Sequence, residues 1–332
     1  MRYRVLITDY VWPALDRERT VLEPLGVELV PSPSGDEETL VQLAAGVDGI
    51  MTCFASVTPA VVRATDQLRV IARYGIGVDN IAVDVATGRD VVVTNVPDYC
   101  VEEVAEHTLA LLFACARRLT RYDRAVRAEN WNSKVGMPLF RIHGKTLGIV
   151  GFGQTGRRVA AKAHALGLRV LAYSPHLTSG DAQRAGCRAV SLPDLLKECD
   201  FVSLHLPLTP ETTLMFDRER FRLMKPGAIF INTSRGGLVE SAALAEALGA
   251  GHIAAAGVDV LPQEPPDPSD PLLKQENLIV SPHVAFYSEE SLAALQTRTA
   301  QAVAQVLQAN MPESVVNPEV LARVTLQQSA SD

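Results

Sequence analysis

Short apolar runs of four to seven residues alternate with amphipathic stretches along nearly the whole chain. That is the pattern of parallel strands joined by helices. In the first hundred residues, strands are predicted at 4–8 (RVLIT), 27–30 (VELV), 48–52 (DGIMT), 69–74 (RVIARY) and 91–96 (VVVTNV). Most are continuous apolar runs, as strands covered on both faces require. One long helix is predicted over 101–126, where Val104, Leu109, Leu111, Leu112 and Leu119 spread over more than one face and imply burial on several sides. A second strand series follows at 147–151, 169–174, 201–206, 228–234, 254–261 and 278–283. The chain then returns to a helix over 288–308, and the tail 326–332 (LQQSASD) is predicted to fray. The pattern reads as α/β, with two doubly wound parallel sheets.

Bulk properties narrow the picture. A chain of 332 residues corresponds to about two domains and can bury a large core. The formal charge of −7 argues against a general nucleic-acid binder, which needs a basic face. One basic cluster, 117–127 (RRLTRYDRAVR), reads as a solvated helix face. The five cysteines are odd in number and show no CxxC or Cys/His ligand spacing, so reduced thiols in a cytoplasm are expected, with no zinc site. The N-terminal MRYRVLITDY reads as a strand and not as a signal peptide. The apolar stretch 108–116 is too short to span a bilayer, so no membrane is expected as a partner.

Chemistry enters with GFGQTG, which places Gly151, Gly153 and Gly156 at GxGxxG spacing. The hexapeptide leaves a predicted strand and enters a predicted helix over 157–167, with Val159, Ala160, Ala163 and Leu166 in register. In that context the glycines permit a tight turn, a close approach of backbone to pyrophosphate, and close helix–strand packing. The helix N-terminus adds unpaired donors and positive dipole charge. The following strand should end in an acid that holds the ribose hydroxyls, but Ser174 stands there. A hydroxyl can bond a ribose oxygen without repelling a 2′-phosphate. NAD is the expected cofactor, and NADP stays open.

Three polar groups fall at C-terminal ends of predicted strands: Arg235 after IFINTS, Glu264 after VDVLPQ and His283 after LIVSP. Ligands of open α/β sheets sit at that edge. Reduction of a 2-keto acid needs the keto oxygen protonated as hydride reaches its carbon, and a histidine can give and retake that proton. A neighbouring carboxylate fixes its tautomer, so His283 and Glu264 read as an acid–base pair. Arg235 can fork onto a substrate carboxylate, a geometry lysine cannot match.

GFGQTG, HLPLTPETT (205–213), MKPGAIFINTSRGGLVE (224–240), GVDVLPQEP (257–265) and SPHVAFYSEES (281–291) together resemble the D-isomer-specific 2-hydroxyacid dehydrogenases. ARYGIGVDNI (72–81) and VTNVPDYCVEEVAEHTLALL (93–112) extend the likeness over nearly the whole chain. Within the family the chain is most similar to the branch of the C-terminal-binding-protein co-repressors and their bacterial dehydrogenase relatives. The resemblance implies a Rossmann domain at 99–287 inserted into a flavodoxin-like substrate domain of 1–98 and 288–332, a homodimer, and a catalytic site in a cleft. It assigns catalysis to Arg235, Glu264 and His283. Tyr74, Gly75, Ile76 and Gly77 would meet the substrate carboxylate and the nicotinamide side through their backbone. Gln154 and Thr155 would meet the pyrophosphate, Ser174 the ribose, and Leu206, Pro207 and Thr212 the adenosine side. Thr233, Ser234 and Asp259 would lie along the nicotinamide half.

The departures are specific. The co-repressor branch carries tryptophan where Phe286 stands. Phosphoglycerate dehydrogenases commonly have an arginine near Cys53 and a C-terminal regulatory domain for which this chain has no room. The expected activity is therefore reduction of a small 2-keto acid. 3-Phosphoglycerate is the alternative substrate, and an NAD(H)-sensing co-repressor-like scaffold is the alternative function. Phosphite or formate oxidation would need further site residues that the sequence does not show.

Overall fold

The computed structural model describes residues 3–328. The chain divides into two compact units, one of the residues up to Tyr99 together with those from Ser288 on, the other of Cys100–Tyr287. In the first unit, β1 (Tyr3–Ile7), β2 (Val27–Pro31), β3 (Gly49–Thr52), β4 (Val70–Arg73) and β5 (Val92–Thr94) form one parallel sheet in the order β2-β1-β3-β4-β5. That is the flavodoxin-like doubly wound order. Helices α1 (Asp16–Leu22), α2 (Glu37–Ala44), α3 (Pro59–Arg63) and α4 (Val83–Gly88) make the connections. Their starts are written locally. Asp36 accepts from Thr39 N–H at 2.9 Å, and Thr58 caps α3, whose first turn carries Pro59. Leu6, Leu40, Ile50, Val62, Ile71 and Val93 form a core closed to solvent.

The second unit opens with α5 (Val101–Ala116) and α6 (Leu119–Arg127). Strands and helices then alternate: β6 (Thr146–Val150), α7 (Gln154–Ala165), β7 (Arg169–Tyr173), α8 (Ser179–Arg184), β8 (Arg188–Ala189), α9 (Leu192–Glu198) and β9 (Phe201–Leu204). They continue as α10 (Arg218–Leu223), β10 (Ala228–Asn232), α11 (Ser241–Gly249), β11 (Ile253–Val258) and β12 (Leu278–Val280). All seven strands are parallel, in the order β12-β11-β10-β9-β6-β7-β8. The chain starts at β6, winds outward through β8, crosses back to β9 beside β6, and winds outward again. Strand direction of travel reverses between β6 and β9, where such sheets bind ligands. Alternate residues serve opposite faces: Phe230 joins the cluster with Leu195, Phe216 and Leu244, while Ile229 and Ile231 join Leu112, Ile149 and Val159.

After this unit the chain returns to the first through α12 (Glu289–Leu307), which packs on α1 and β4. Its start is a capping box in which Ser288 and Ser291 each accept from the other's backbone N–H.

The fold class is as the apolar pattern implies; three details differ. The helix expected over 101–126 is two helices, because Arg118 turns the backbone at φ +52°. Leu119 keeps the helical phase of Leu112, so periodicity could not reveal the break, and no glycine or proline marks it. Leu119 is 56% exposed, not buried. Several strands end before the apolar run does. Asp259, Val260 and Leu261 lie beyond β11 yet are 2%, 3% and 9% exposed, so burial and not sheet pairing explains their composition. Finally, Gln327 is held in the expected frayed tail, donating to Ala309 C=O and accepting from Met311 N–H, each at 2.8 Å. Residues 329–332 of that tail lie outside the described residues. No helix among the described residues is long and apolar enough to cross a membrane.

Candidate active site

The turn after β6 brings Gly151, Gly153 and Gly156 to the switch point. Gly151 sits at φ +98°, and a Cβ on it would lie 2.3 Å from His205 C=O. A Cβ on Gly156 would lie 2.3 Å from Gly151 C=O. Contacts inside the protein thus account for the first and third glycines. Gly153 is different: a Cβ there would meet nothing within 4 Å. It is exposed, it precedes α7, and no side chain caps that helix. An uncapped helix start with open space over its glycine fits a pyrophosphate, which would take the N–H groups of Gln154 and Thr155.

The other residues expected at the cofactor flank this turn. Ser174 follows β7, half-buried, and its carbonyl accepts from Leu177 N–H at 3.1 Å. Leu206 and Pro207 follow β9, and Thr212 ties their loop by donating to Pro207 C=O and accepting from Thr209 N–H, each at 2.8 Å. His205, which the sequence did not single out, lies against Gly151. Its Nε2 is 2.9 Å from Ser203 Oγ, and its buried Nδ1 has no hydrogen-bond partner among the described residues. Burial pushes its pKa down to about 4, so the ring is neutral.

Arg235, Glu264 and His283 converge at the ends of β10, β11 and β12. Asn232 locks the first loop: its amide donates to Arg235 C=O at 2.8 Å and its carbonyl accepts from Ser234 N–H at 3.0 Å. Ser234 Oγ donates to Leu204 C=O at 2.8 Å, and Thr233 Oγ1 lies 2.8 Å from Thr108 Oγ1 on α5. A Cβ on Gly236 would fall 1.9 Å from the Leu261 carbonyl carbon, so the loop of Arg235 runs directly against the segment leading to Glu264. Arg235 Nη1 donates to Ser234 C=O at 2.8 Å.

Glu264 Oε1 accepts from Leu261 N–H at 2.9 Å, and Oε2 accepts from His283 Nδ1 at 2.7 Å. Partial burial would raise the carboxyl's pKa. The hydrogen bond and charge of His283, the Leu261 N–H and the charge of Arg235 outweigh it, and the net shift is downward. Glu264 is therefore ionised beside the imidazole. His283 takes φ +53°, an unusual conformation for a non-glycine residue. Asp259, 2% exposed, holds it there: its carbonyl accepts from His283 N–H at 2.8 Å, and its carboxylate accepts from Val284 N–H at 3.0 Å, Ala285 N–H at 2.8 Å and Ser281 Oγ at 2.5 Å. The Phe286 ring stands edge-on to His283 with centroids 6.4 Å apart.

Tyr74, Gly75, Ile76 and Gly77 belong to the other unit, at the C-terminal end of β4. The Tyr74 side chain is buried and its hydroxyl donates to Glu18 at 3.0 Å, so only backbone of this residue faces the loop's surroundings. Gly75 has φ +151°, and a Cβ on it would lie 2.9 Å from Arg73 Nη1. Arg73, 8% exposed, thus supports the turn from beneath. Ile76 C=O accepts from Asn95 at 2.7 Å. Among the described residues, no group of His, Cys, Asp and Glu could hold a metal ion, and all five cysteines are buried and unbridged.

A family model for the NAD-binding domain of D-isomer specific 2-hydroxyacid dehydrogenases matches residues 109–285. A glyoxylate reductase of Korarchaeum cryptofilum is 42% identical over 264 residues, 79% of this chain and 80% of its own. A D-3-phosphoglycerate dehydrogenase of Methanocaldococcus jannaschii is 36% identical over 95% of this chain, which spans only 59% of that relative's length. Among solved structures, D-lactate dehydrogenase of Aquifex aeolicus complexed with NAD and lactic acid has a TM-score of 0.84 at 28% identity, covering 94% of this chain and 98% of the other. An NADPH-dependent glyoxylate/hydroxypyruvate reductase of Sinorhizobium meliloti, in complex with NADP and malonate, has a TM-score of 0.86 at 26% identity over 100% of both chains. The chain belongs to the D-isomer-specific 2-hydroxyacid dehydrogenases. It is an NAD(P)-dependent oxidoreductase of 2-hydroxy acids.

Proposed function

We propose that this chain reduces small 2-keto acids to D-2-hydroxy acids, with His283 as the acid–base group, Glu264 supporting it and Arg235 binding the substrate carboxylate. The observation that carries the reading is the 2.7 Å bond from His283 Nδ1 to an ionised Glu264 at the strand ends that also present Arg235. Arg235 orients the keto acid through a charge-assisted fork. A nicotinamide cofactor held at the Gly151–Gly156 turn would supply the hydride to C2. Protonated His283 gives its Nε2 proton to the keto oxygen, Glu264 holds the Nδ1 proton and stabilises the ring while it is charged, and the neutral imidazole is reprotonated from solvent after the hydroxy acid forms. The backbone of Tyr74–Gly77 serves the substrate carboxylate, and Thr233, Ser234 and Asp259 the nicotinamide half. Gly151–Gly156, Ser174, Leu206, Pro207 and Thr212 serve the rest of the cofactor, with NAD preferred over NADP.

A small acid is favoured over 3-phosphoglycerate. In the segment around Cys53, where phosphoglycerate dehydrogenases commonly carry an arginine, this chain has none, and Cys53 itself is 2% exposed. The chain acts as a homodimer. Leu119, Val126, Trp131, Met137 and Phe140 are 47–89% exposed within one short segment, an apolar surface that a second copy would cover. Five buried thiols suit a reducing cytoplasm.

The test is NADH oxidation across glyoxylate, hydroxypyruvate, pyruvate, longer 2-keto acids and phosphohydroxypyruvate. At least one unphosphorylated acid should turn over, and His283→Ala should lower its kcat by roughly 10²–10⁴. Undiminished turnover by that variant would refute the mechanism.

A further inference from the structure

His107 lies on α5 and takes no part in the chemistry described so far. Its Nε2 is 2.8 Å from Ser281 Oγ and 3.5 Å from Asp259 Oδ1. The hydrogen-bond inventory fixes the direction of the chain. Ser281 has one hydroxyl proton, donated to Asp259 at 2.5 Å, so its oxygen must accept from His107, whose Nε2 carries hydrogen. This order rules out a nucleophilic serine: the hydroxyl proton points to the carboxylate and not to the imidazole, the reverse of a hydrolase triad.

The relay ends on the group that shapes the acid–base residue. Asp259 bonds Ser281 two residues before His283 and the N–H groups of Val284 and Ala285 directly after it. Those bonds hold His283 at φ +53°, a left-handed backbone conformation that a non-glycine residue keeps only where its surroundings over-determine it. Asp259 is itself 2% exposed, so the orientation of its carboxylate depends on its protein donors. A second tie from the same helix, Thr108 to Thr233 at 2.8 Å, joins the next helical position to the loop of Arg235.

We infer that His107 is a positioning residue for hydride transfer, acting through Ser281 to orient Asp259 and so to hold the His283 backbone in its reactive setting. The inference rests on the acid–base reading of His283. Misplacing a reacting group by a fraction of an ångström costs rate more than ground-state binding. His107→Ala is therefore expected to lower kcat about tenfold while the KM for the keto acid changes less than about twofold. His107→Gln, which keeps an N–H donor near the Nε2 position, should return kcat to within about threefold of wild type. Ser281→Ala should resemble His107→Ala, and the double variant should be no slower than the slower single, because both remove one relay. Independently of turnover, amide hydrogen exchange in the protein without cofactor should show protection at Val284 and Ala285 falling about tenfold in His107→Ala and not in His107→Gln.

Unchanged kcat and unchanged protection in His107→Ala would overturn the inference, as would a His107→Gln variant no better than His107→Ala. His283→Ala, measured alongside, separates the two readings. If it keeps wild-type turnover, the acid–base reading falls and takes this one with it. If it is inactive while His107→Ala is unaffected, only the role of His107 is lost.

Discussion

At the scale of single residues, two side chains beside the cradle carry opposite lessons. On the proposed cofactor assignment, Ser174 stands where a carboxylate would repel a 2′-phosphate, so any discrimination against NADP would rest on weak forces. Ser174→Asp should raise the NADH over NADPH preference in kcat/KM about fivefold or more, since a like charge near the phosphate costs about 1 kcal/mol or more. Steady-state kinetics with both cofactors checks it. His205 is neutral and buried, its pKa lowered from 6.5 to about 4. The unfolded chain therefore takes up this proton at higher pH than the folded one. Stability from this group is full above the ordinary histidine range and is lost as pH falls from about 6.5 through about 4. Urea unfolding of His205→Asn should accordingly show a flatter pH dependence across that window than wild type. Arg235, Glu264 and His283 were legible in the sequence because each ends an apolar run. His107 and Ser281 were not, because a histidine in a helix and a serine in a loop carry no spacing signal. Their partnership exists only once α5 lies over β11.

At the scale of elements, the strand–turn–helix around Gly151 shows why one motif holds positions with separate physical duties. Gly151→Ala would place a methyl 2.3 Å from a carbonyl at φ +98°. The variant is expected to lose about 3 kcal/mol, seen as a Tm lower by roughly 5–10 °C. Gly153→Ala meets no atom of the protein, so its Tm should stay within about 3 °C while NADH affinity falls about tenfold or more. Thermal unfolding and fluorescence titration together distinguish the two. Strand positions were readable because buried parallel strands need unbroken apolar runs. Their ends were not, since the loops at the active edge are as apolar and as buried as the strands, as Val260 and Leu261 show. The α5–α6 break leaves no mark in the sequence because a non-glycine residue, Arg118, makes the turn.

At the scale of the whole molecule, the proposed pairing of chains has a direct handle. Trp131 is 89% exposed and Phe140 67% exposed. Trp131→Asp with Phe140→Asp should convert a dimer into a monomer in sedimentation analysis, with little change in the far-ultraviolet spectrum of the fold. A wild-type protein that sediments as a monomer would refute the pairing. Two series of strands are visible in the apolar pattern, but the ownership of α12 is not. Its amphipathic repeat would suit either unit, and only its contacts with α1 and β4 assign it.

That assignment sets a timetable for synthesis. The sheet built from the earliest residues lacks its closing helix until some two hundred more have been translated, so it must wait, incomplete, on the ribosome. The intervening unit has every strand it needs by Tyr287 and can fold first. Born second and finished first, it would be complete before the last helix joins the first strands.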